Sequence, residues 1–258
     1  MTVTRRVYDA VTQPPEETPM SATRSVDVAI ADAALDRAVE TVSAYFAALL
    51  EPLQSHADRI AAELGDQGDE QLTVSRLDDL VQPHAIGMLD HPTEPVYGAG
   101  FIAEVGLLSD AASHLAWWQG ADRRKLVFPA QSVKQAIDYR DLEWFRVPQA
   151  TGRPHVAGPY VDYLCSDEYT MTAAAPVTVD GRFAGVAGLD VLIETIERRL
   201  TPPLHALTTP LVLVNGVSRV LVSTDDRFSA GDVLRADRVD IAERRACRHV
   251  DLEVLRLA

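Results

Sequence analysis

Residues 169–190 read YTMTAAAPVTVDGRFAGVAGLD. Tyr169 to Val179 alternates, with Thr170, Thr172 and Ala174 opposite Met171, Ala173 and Ala175, and that is the period of a strand. Asp180-Gly181 then supplies the dipeptide of a two-residue type I′ turn, whose two central residues both need positive φ. Phe183 to Leu189 is the returning strand. Strands joined by so short a turn are antiparallel, so the sheet is built from hairpins.

Downstream, Glu194 to Leu200 reads as a short helix stopped by Pro202-Pro203. A second hairpin follows, Leu211 to Val214, a turn at Asn215-Gly216, and Arg219 to Ser223. Upstream, Tyr97 to Ala103 reads as a strand. Its lone Gly98-x-Gly100 lacks the third glycine of a dinucleotide loop, and marks close approach of another backbone. Ser109 to Gly120 reads as a short helix carrying Trp117 and Trp118, Arg124 to Phe128 as a strand, and Asp138 to Ala150 as irregular.

Before the sheet comes a long helix. From Asp32 the apolar positions Leu35, Val39, Val42, Phe46, Leu49 and Leu53 step by four and three residues, followed by Ile60 and Leu64. This is a one-sided stripe, ended by Gly65 and Gly68, with a kink expected at Pro52. The stripe fits packing on the chain's own sheet, and also a two-stranded coiled coil. A second helix is expected over residues 71–81, then a loop with Pro83, Pro92 and Pro95. One helical layer on an antiparallel sheet is an α+β architecture. The divisions are a flexible leader 1–25, a helix 26–68, a main body 69–236 and a C-terminal segment 237–258.

The chain has 258 residues, 24 Lys+Arg against 38 Asp+Glu, a net charge of −14, and 47% hydrophobic residues. That is enough apolar material for a core, and the wrong charge for nucleic acid, which needs a concentrated basic face. The densest basic cluster, Arg123-Arg124-Lys125, reads as a solvated face. Cys165 and Cys247 cannot make a disulfide framework. No signal-peptide core follows the polar start and no stretch of 18 apolar residues occurs, so the expectation is a reduced, cytoplasmic protein that does not enter a membrane.

No Gly-x-Ser-x-Gly, phosphate loop or His-Glu-x-x-His is present, and no cofactor is expected. Cys165 with Asp167 and Glu168 makes a poor metal set. Asp162 and Asp190, by contrast, sit at strand ends among apolar residues. A buried carboxylate needs a cation or several donors. Trp144 and Tyr160 fit the walls of a cation box. The plainer alternative is that both aspartates accept backbone N–H groups at turns.

These residues, Trp144-Phe145, Gly158-Pro-Tyr160-x-Asp162, Thr170-x-Thr172, Pro176-Val177, Asp180-Gly181 and Gly185-Val-x-Gly-x-Asp190, resemble the Cache family of PAS-like sensor domains. The resemblance is best over residues 137–191. It implies a long N-terminal helix packed on a central antiparallel sheet, and a small-molecule pocket over that sheet. In members that bind amino acids, the matching positions Trp144, Tyr160, Asp162 and Asp190 would hold the α-ammonium. The basic residue expected two before the tryptophan is Leu142, a tyrosine expected seven before it is Ile137, and the tyrosine after it is Phe145. Tyr139 and Arg140 lie nearby out of register. The ammonium half is kept and the carboxylate half lost, which favours an amine or polyamine. An amino acid or GABA-like zwitterion follows if Arg140 reaches in. Trp117 is a further candidate for the pocket wall, with one of the Trp117-Trp118 pair expected in the core.

The leading expectation is a non-catalytic sensor that signals through a separate output protein or a homodimer made by its long helix. The competing readings are an enzyme acting on a small amine with Asp162 or Asp190 as base, and a structural domain with a filled pocket. Cache domains usually lie outside the membrane between two spanning helices, which this sequence does not display.

Overall fold

The computed structural model describes residues 19–67, 71–90, 94–127, 138–235 and 237–258, with side chains from Ala29 onward. The flexible-leader expectation for residues 1–18 lies outside the described residues. Helix α1 runs from Pro19 to Gly65, so it starts ahead of the expected boundary. Helix α2 is Val74–Leu89, capped by Thr73, whose side chain accepts from the Arg76 amide. Two further helices are α3, Glu143–Thr151, and α4, Ile193–His205.

Two antiparallel sheets stand behind them. The first contains β1 (Gly98–Ala103), β2 (Leu115–Gln119), β3 (Arg124–Lys125), β4 (His155–Val161), β5 (Tyr169–Val179) and β6 (Arg182–Leu192), in the order β3-β2-β1-β6-β5-β4. The second contains β7 (Leu211–Asn215), β8 (Val220–Ser223), β9 (Ile241–Ala246) and β10 (Leu252–Leu257), in the order β8-β7-β10-β9. The α+β expectation is borne out. So is the first hairpin: Asp180 and Gly181 have φ of 49° and 75°.

The stripe of α1 is spent on the chain's own sheets. Leu35, Val42, Phe46, Leu49, Leu53 and Ile60 are buried together with Phe101, Met171, Ala173, Leu189 and Val191 of the first sheet. Burying each large side chain contributes about 1.5–3 kcal/mol. Several of these on either side of Pro52 outweigh the ~3 kcal/mol cost of a proline inside a helix, so the helix is not broken there. At its other end α1 meets the second sheet, where Arg245 pairs with Asp36 and the Arg248 amide donates to Ser43.

Several local expectations are corrected. Leu115–Gln119 is a strand, not a helix. Trp117 packs on one face of the sheet and Trp118 on the other, so burial on both faces erases the alternation that would have marked it. Helix α2 continues through Pro83 to Leu89, held by buried Leu77, Leu80, Val81 and Met88. Asp138–Ala150 is ordered, as one 3-10 turn (Tyr139–Asp141) followed by α3. The strand at Arg124 is two residues long. The second hairpin turns through a longer loop with Ser218 at φ 60°, Asn215 Oδ1 accepting from the amides of Val217 and Arg219. The segment after residue 237 supplies β9 and β10, half of the second sheet, rather than standing apart.

Candidate functional site

The period of the central strands sorts their side chains. In β6, Ala187, Leu189 and Val191 face α1, which turns Val186, Gly188 and Asp190 to the opposite face. In β5 the same alternation turns Thr172 and Ala174 that way. The ladder sets Asp190 directly beside Thr172 on one side and Gly98 on the other. Helix α3 and the 3-10 turn cover this face with Tyr139, Trp144 and Phe145.

Between the sheet and this cover lies a recess. Its sheet side is Ile102, Leu115, Trp117, Thr172 and Asp190, and its roof is Trp144, Tyr160, Asp162 and Cys165. It is nearly closed: its volume of about 10 Å³ is the room of a single water. Trp117 lies flat over two glycines. A Cβ on Gly98 would stand 2.7 Å from its indole nitrogen, and one on Gly188 would stand 3.2 Å from Cζ3. The close approach expected at Gly98 is therefore that of an indole. Trp117 Nε1 donates to Gln119 Oε1 at 3.1 Å, and Gln119 Nε2 donates to the Cys165 carbonyl at 3.1 Å, which ties the sheet to the roof.

The two aspartates differ. Asp162 does what the plainer reading expected. Its carboxylate accepts from the amides of Leu164, Cys165 and Ser166 and from the Ser166 hydroxyl, all at 3.0–3.2 Å, and so holds the turn that follows β4. Asp190 is 2% exposed. It accepts from Thr172 Oγ1 at 2.5 Å, and Thr172 is in turn hydrogen-bonded to the Tyr160 hydroxyl. Among the described residues no Lys, Arg or His pairs with Asp190. Burial pushes its carboxyl well above the ordinary aspartate range, the nearby Asp162 adds to this, and the Thr172 bond opposes it. Burial likewise raises the Tyr160 phenol, with Asp190 next in effect.

The recess thus brings together Trp117, Trp144, Tyr160, Asp162 and Asp190. Tyr139 and Arg140 stand apart from it. The Tyr139 hydroxyl donates to the Ala103 carbonyl at 2.7 Å, and its ring stacks behind Trp144 at 6.5 Å. Arg140 is exposed and forks onto Asp138, whose carboxyl it lowers to about 2. Leu142 packs against the aromatic cluster as an apolar residue, and Ile137 lies outside the described residues. Sequence reasoning had not singled out Thr172, Ile102 or Leu115 as lining. For Thr172 the signal was available, since it alternates onto the face of Asp190.

Cys247 is buried and makes no disulfide, and Cys165 lines the recess. Among the described residues no group of three or more His, Cys, Asp or Glu could hold a metal ion, and no helix is long and apolar enough to cross a membrane.

Comparison with known proteins agrees with this fold. Residues 121–198 match the family described as methyl-accepting chemotaxis protein-like, first PDC sensor domain. No curated protein matches the sequence. Among solved structures, the ligand-binding domain of the Campylobacter jejuni chemoreceptor Tlp3, in complex with L-valine, aligns with TM-score 0.65 at 11% identity, over 93% of this chain and 96% of that one. The ligand-binding domain of the Pseudomonas fluorescens chemoreceptor CtaA, also with L-valine, aligns with TM-score 0.61 at 14% identity, over 90% and 96%. The ligand-binding domain of the Pseudomonas aeruginosa amino acid chemoreceptor PctC, in complex with GABA, aligns with TM-score 0.51 at 17% identity, over 86% and 97%. The matched family is one of sensors rather than enzymes. Residues 121–198 carry an MCP-like PDC sensor domain signature, and the chain as a whole shares the fold of these chemoreceptor ligand-binding domains.

Proposed function

We propose that this protein senses a small amine-bearing metabolite, an amine or polyamine, whose ammonium end enters the recess against Asp190. The observation that carries this reading is a buried carboxylate, ringed by Trp117, Trp144 and Tyr160, with no cation of the described chain beside it. A charged hydrogen bond to a carboxylate is of the strong kind, and an aromatic face adds about 0.5–2 kcal/mol. Among the described residues, Leu142 and the engagement of Arg140 with Asp138 leave no cation at the recess for a ligand carboxylate.

A thermal-shift screen of amines, amino acids and small carboxylates tests this. A true guest at one hundred times its dissociation constant stabilises by about 2.7 kcal/mol. Asp190→Asn is expected to weaken an amine by about 10- to 150-fold, the loss of a charged hydrogen bond. Unchanged affinity would move the guest elsewhere.

A second reading is an amino acid or GABA-like zwitterion. The similar chemoreceptor ligand-binding domains in complex with L-valine and GABA favour it. It requires Arg140 to exchange Asp138 for the ligand carboxylate. Amino acid binding that Arg140→Ala abolishes, with no binding of simple amines, would select this reading over the first.

A homodimer through α1, an output protein and a cytoplasmic location complete the proposal. Light scattering with and without ligand tests the first, and cell fractionation the last.

A further inference from the structure

Asp190 is a buried acid in a space the size of one water. The groups that face it from each packed element do not neutralise it. Thr172 of β5 offers one hydroxyl, which is also bonded to Tyr160 of β4. Asp162 shares the recess, but its oxygens are taken by the turn of residues 164–166. Cys165 lines the same wall, and the Tyr97 phenol, with Glu168 near it, lies within electrostatic reach of both aspartates. Among the described residues, every titratable neighbour is therefore an acid. A bare carboxylate in such a place costs far more than a protonated one.

We infer that the empty recess holds Asp190 as the neutral acid and that an ammonium guest enters by displacing its proton, so that binding exchanges one cation for one proton. This rests on the amine reading above. The balance is simple. The O–H bond of the carboxyl breaks, the proton passes to the solvent buffer, and the carboxylate so formed pairs with the guest ammonium. The net charge of the recess is the same before and after. The elevation of the Asp190 carboxyl by burial and by Asp162 is in keeping with this. The Tyr160–Thr172 pair accommodates either form, since a hydroxyl can donate to a carboxylate or accept from an acid.

The exchange makes the domain sensitive to pH as well as to ligand. On the acid side of the Asp190 transition, amine affinity falls about tenfold for each unit of pH, because one proton must leave for each guest bound. A neutral guest would show no such slope.

The test uses the intact chain. Infrared difference spectra between wild type and Asp190→Asn at neutral pH are expected to contain a protonated-carboxyl band that only the wild type has. Calorimetry on the wild type, with ammonium, methylammonium and putrescine in two buffers of different ionisation heat, is expected to give about one proton released per guest, with affinity rising from about pH 5.5 to pH 8. Amine binding with flat affinity and no proton release would overturn the exchange and leave the amine reading standing. No binding of any of the three would overturn the amine reading and the exchange with it, and the infrared band would then report only where the proton sits.

Discussion

Thr172 and Asp190 face each other as direct partners in the ladder between β5 and β6, and Thr172 Oγ1 donates to Asp190 Oδ1 at 2.5 Å. The bond sits between two groups that would otherwise be orphaned, since Tyr160 leans on the same hydroxyl. Thr172→Val keeps the shape and removes the hydroxyl. Because it strands buried polar atoms on both sides, it is expected to cost about 1–3 kcal/mol. Urea denaturation should lower the midpoint with an unchanged slope. A midpoint equal to wild type would mean that water replaces the hydroxyl.

Asp190 itself should cost stability when the site is empty. Its folded-state carboxyl is raised while the unfolded one is ordinary, so between the two values the folded protein binds more protons. Stability from this group is therefore gained as the pH falls through the folded value, and the cost is present at higher pH. Asp190→Asn should melt above wild type on the alkaline side, by about 2–4 °C for each kcal/mol recovered. The gap should close on acidification toward about pH 4. A gap that widens with acid would refute the sign.

His56 acts in the opposite direction. It is fully buried on α1 with neither ring nitrogen hydrogen-bonded, and burial lowers it to about 3, with His84 and then Arg59 adding to this. Its neighbour His84, 5.5 Å away between ring centres, is itself paired with Glu63. Below the unfolded histidine value of about 6.5, the unfolded chain binds a proton that the folded one refuses. Stability should fall by about 1.4 kcal/mol per unit of pH until about pH 3. His56→Leu should flatten this acid limb in a melting series from pH 7 to pH 4. An acid limb as steep as wild type would assign it to other groups.

The floor of the recess depends on two missing side chains. Gly98→Ala would set a Cβ 2.7 Å from the Trp117 indole nitrogen and force the ring away. Overpacking of this kind costs about 1–3 kcal/mol. Gly188→Ala, at 3.2 Å, should be milder. Denaturation followed by tryptophan fluorescence would rank them, and equal costs would argue that the indole does not rest where it is described.

Asp162→Ala removes four acceptor contacts from the turn over the recess. A loss of about 1–3 kcal/mol is expected, together with faster proteolysis between residues 162 and 168. Intact resistance to protease would show that Gln119 and the backbone bonds of Asp162 with Asp167 and Glu168 hold the turn without the carboxylate.

What could be read without coordinates was mostly local. Asp180-Gly181 encodes its turn in two residues, and the α1 stripe encodes its buried face by spacing alone. Asp162 and Asp190 stood out because acids are rare among apolar strand residues. What escaped was non-local. Leu252–Leu257 becomes a strand by pairing with β7, about forty residues earlier, and Ile241–Ala246 by pairing with that strand in turn. Trp117-Trp118 loses its alternation because helices cover both sides of β2. The division of labour between the two aspartates also escaped, because it depends on which oxygen meets a turn amide and which meets Thr172.

Helix α1 is one rod of 47 residues, about 70 Å long, and it touches both sheets. Its Asp32, Asp36 and Ser43 meet the second sheet through Arg256, Arg245 and the Arg248 amide, and the same rod packs on β5 and β6 of the first. A shift of one sheet against the other is therefore borne by this single helix.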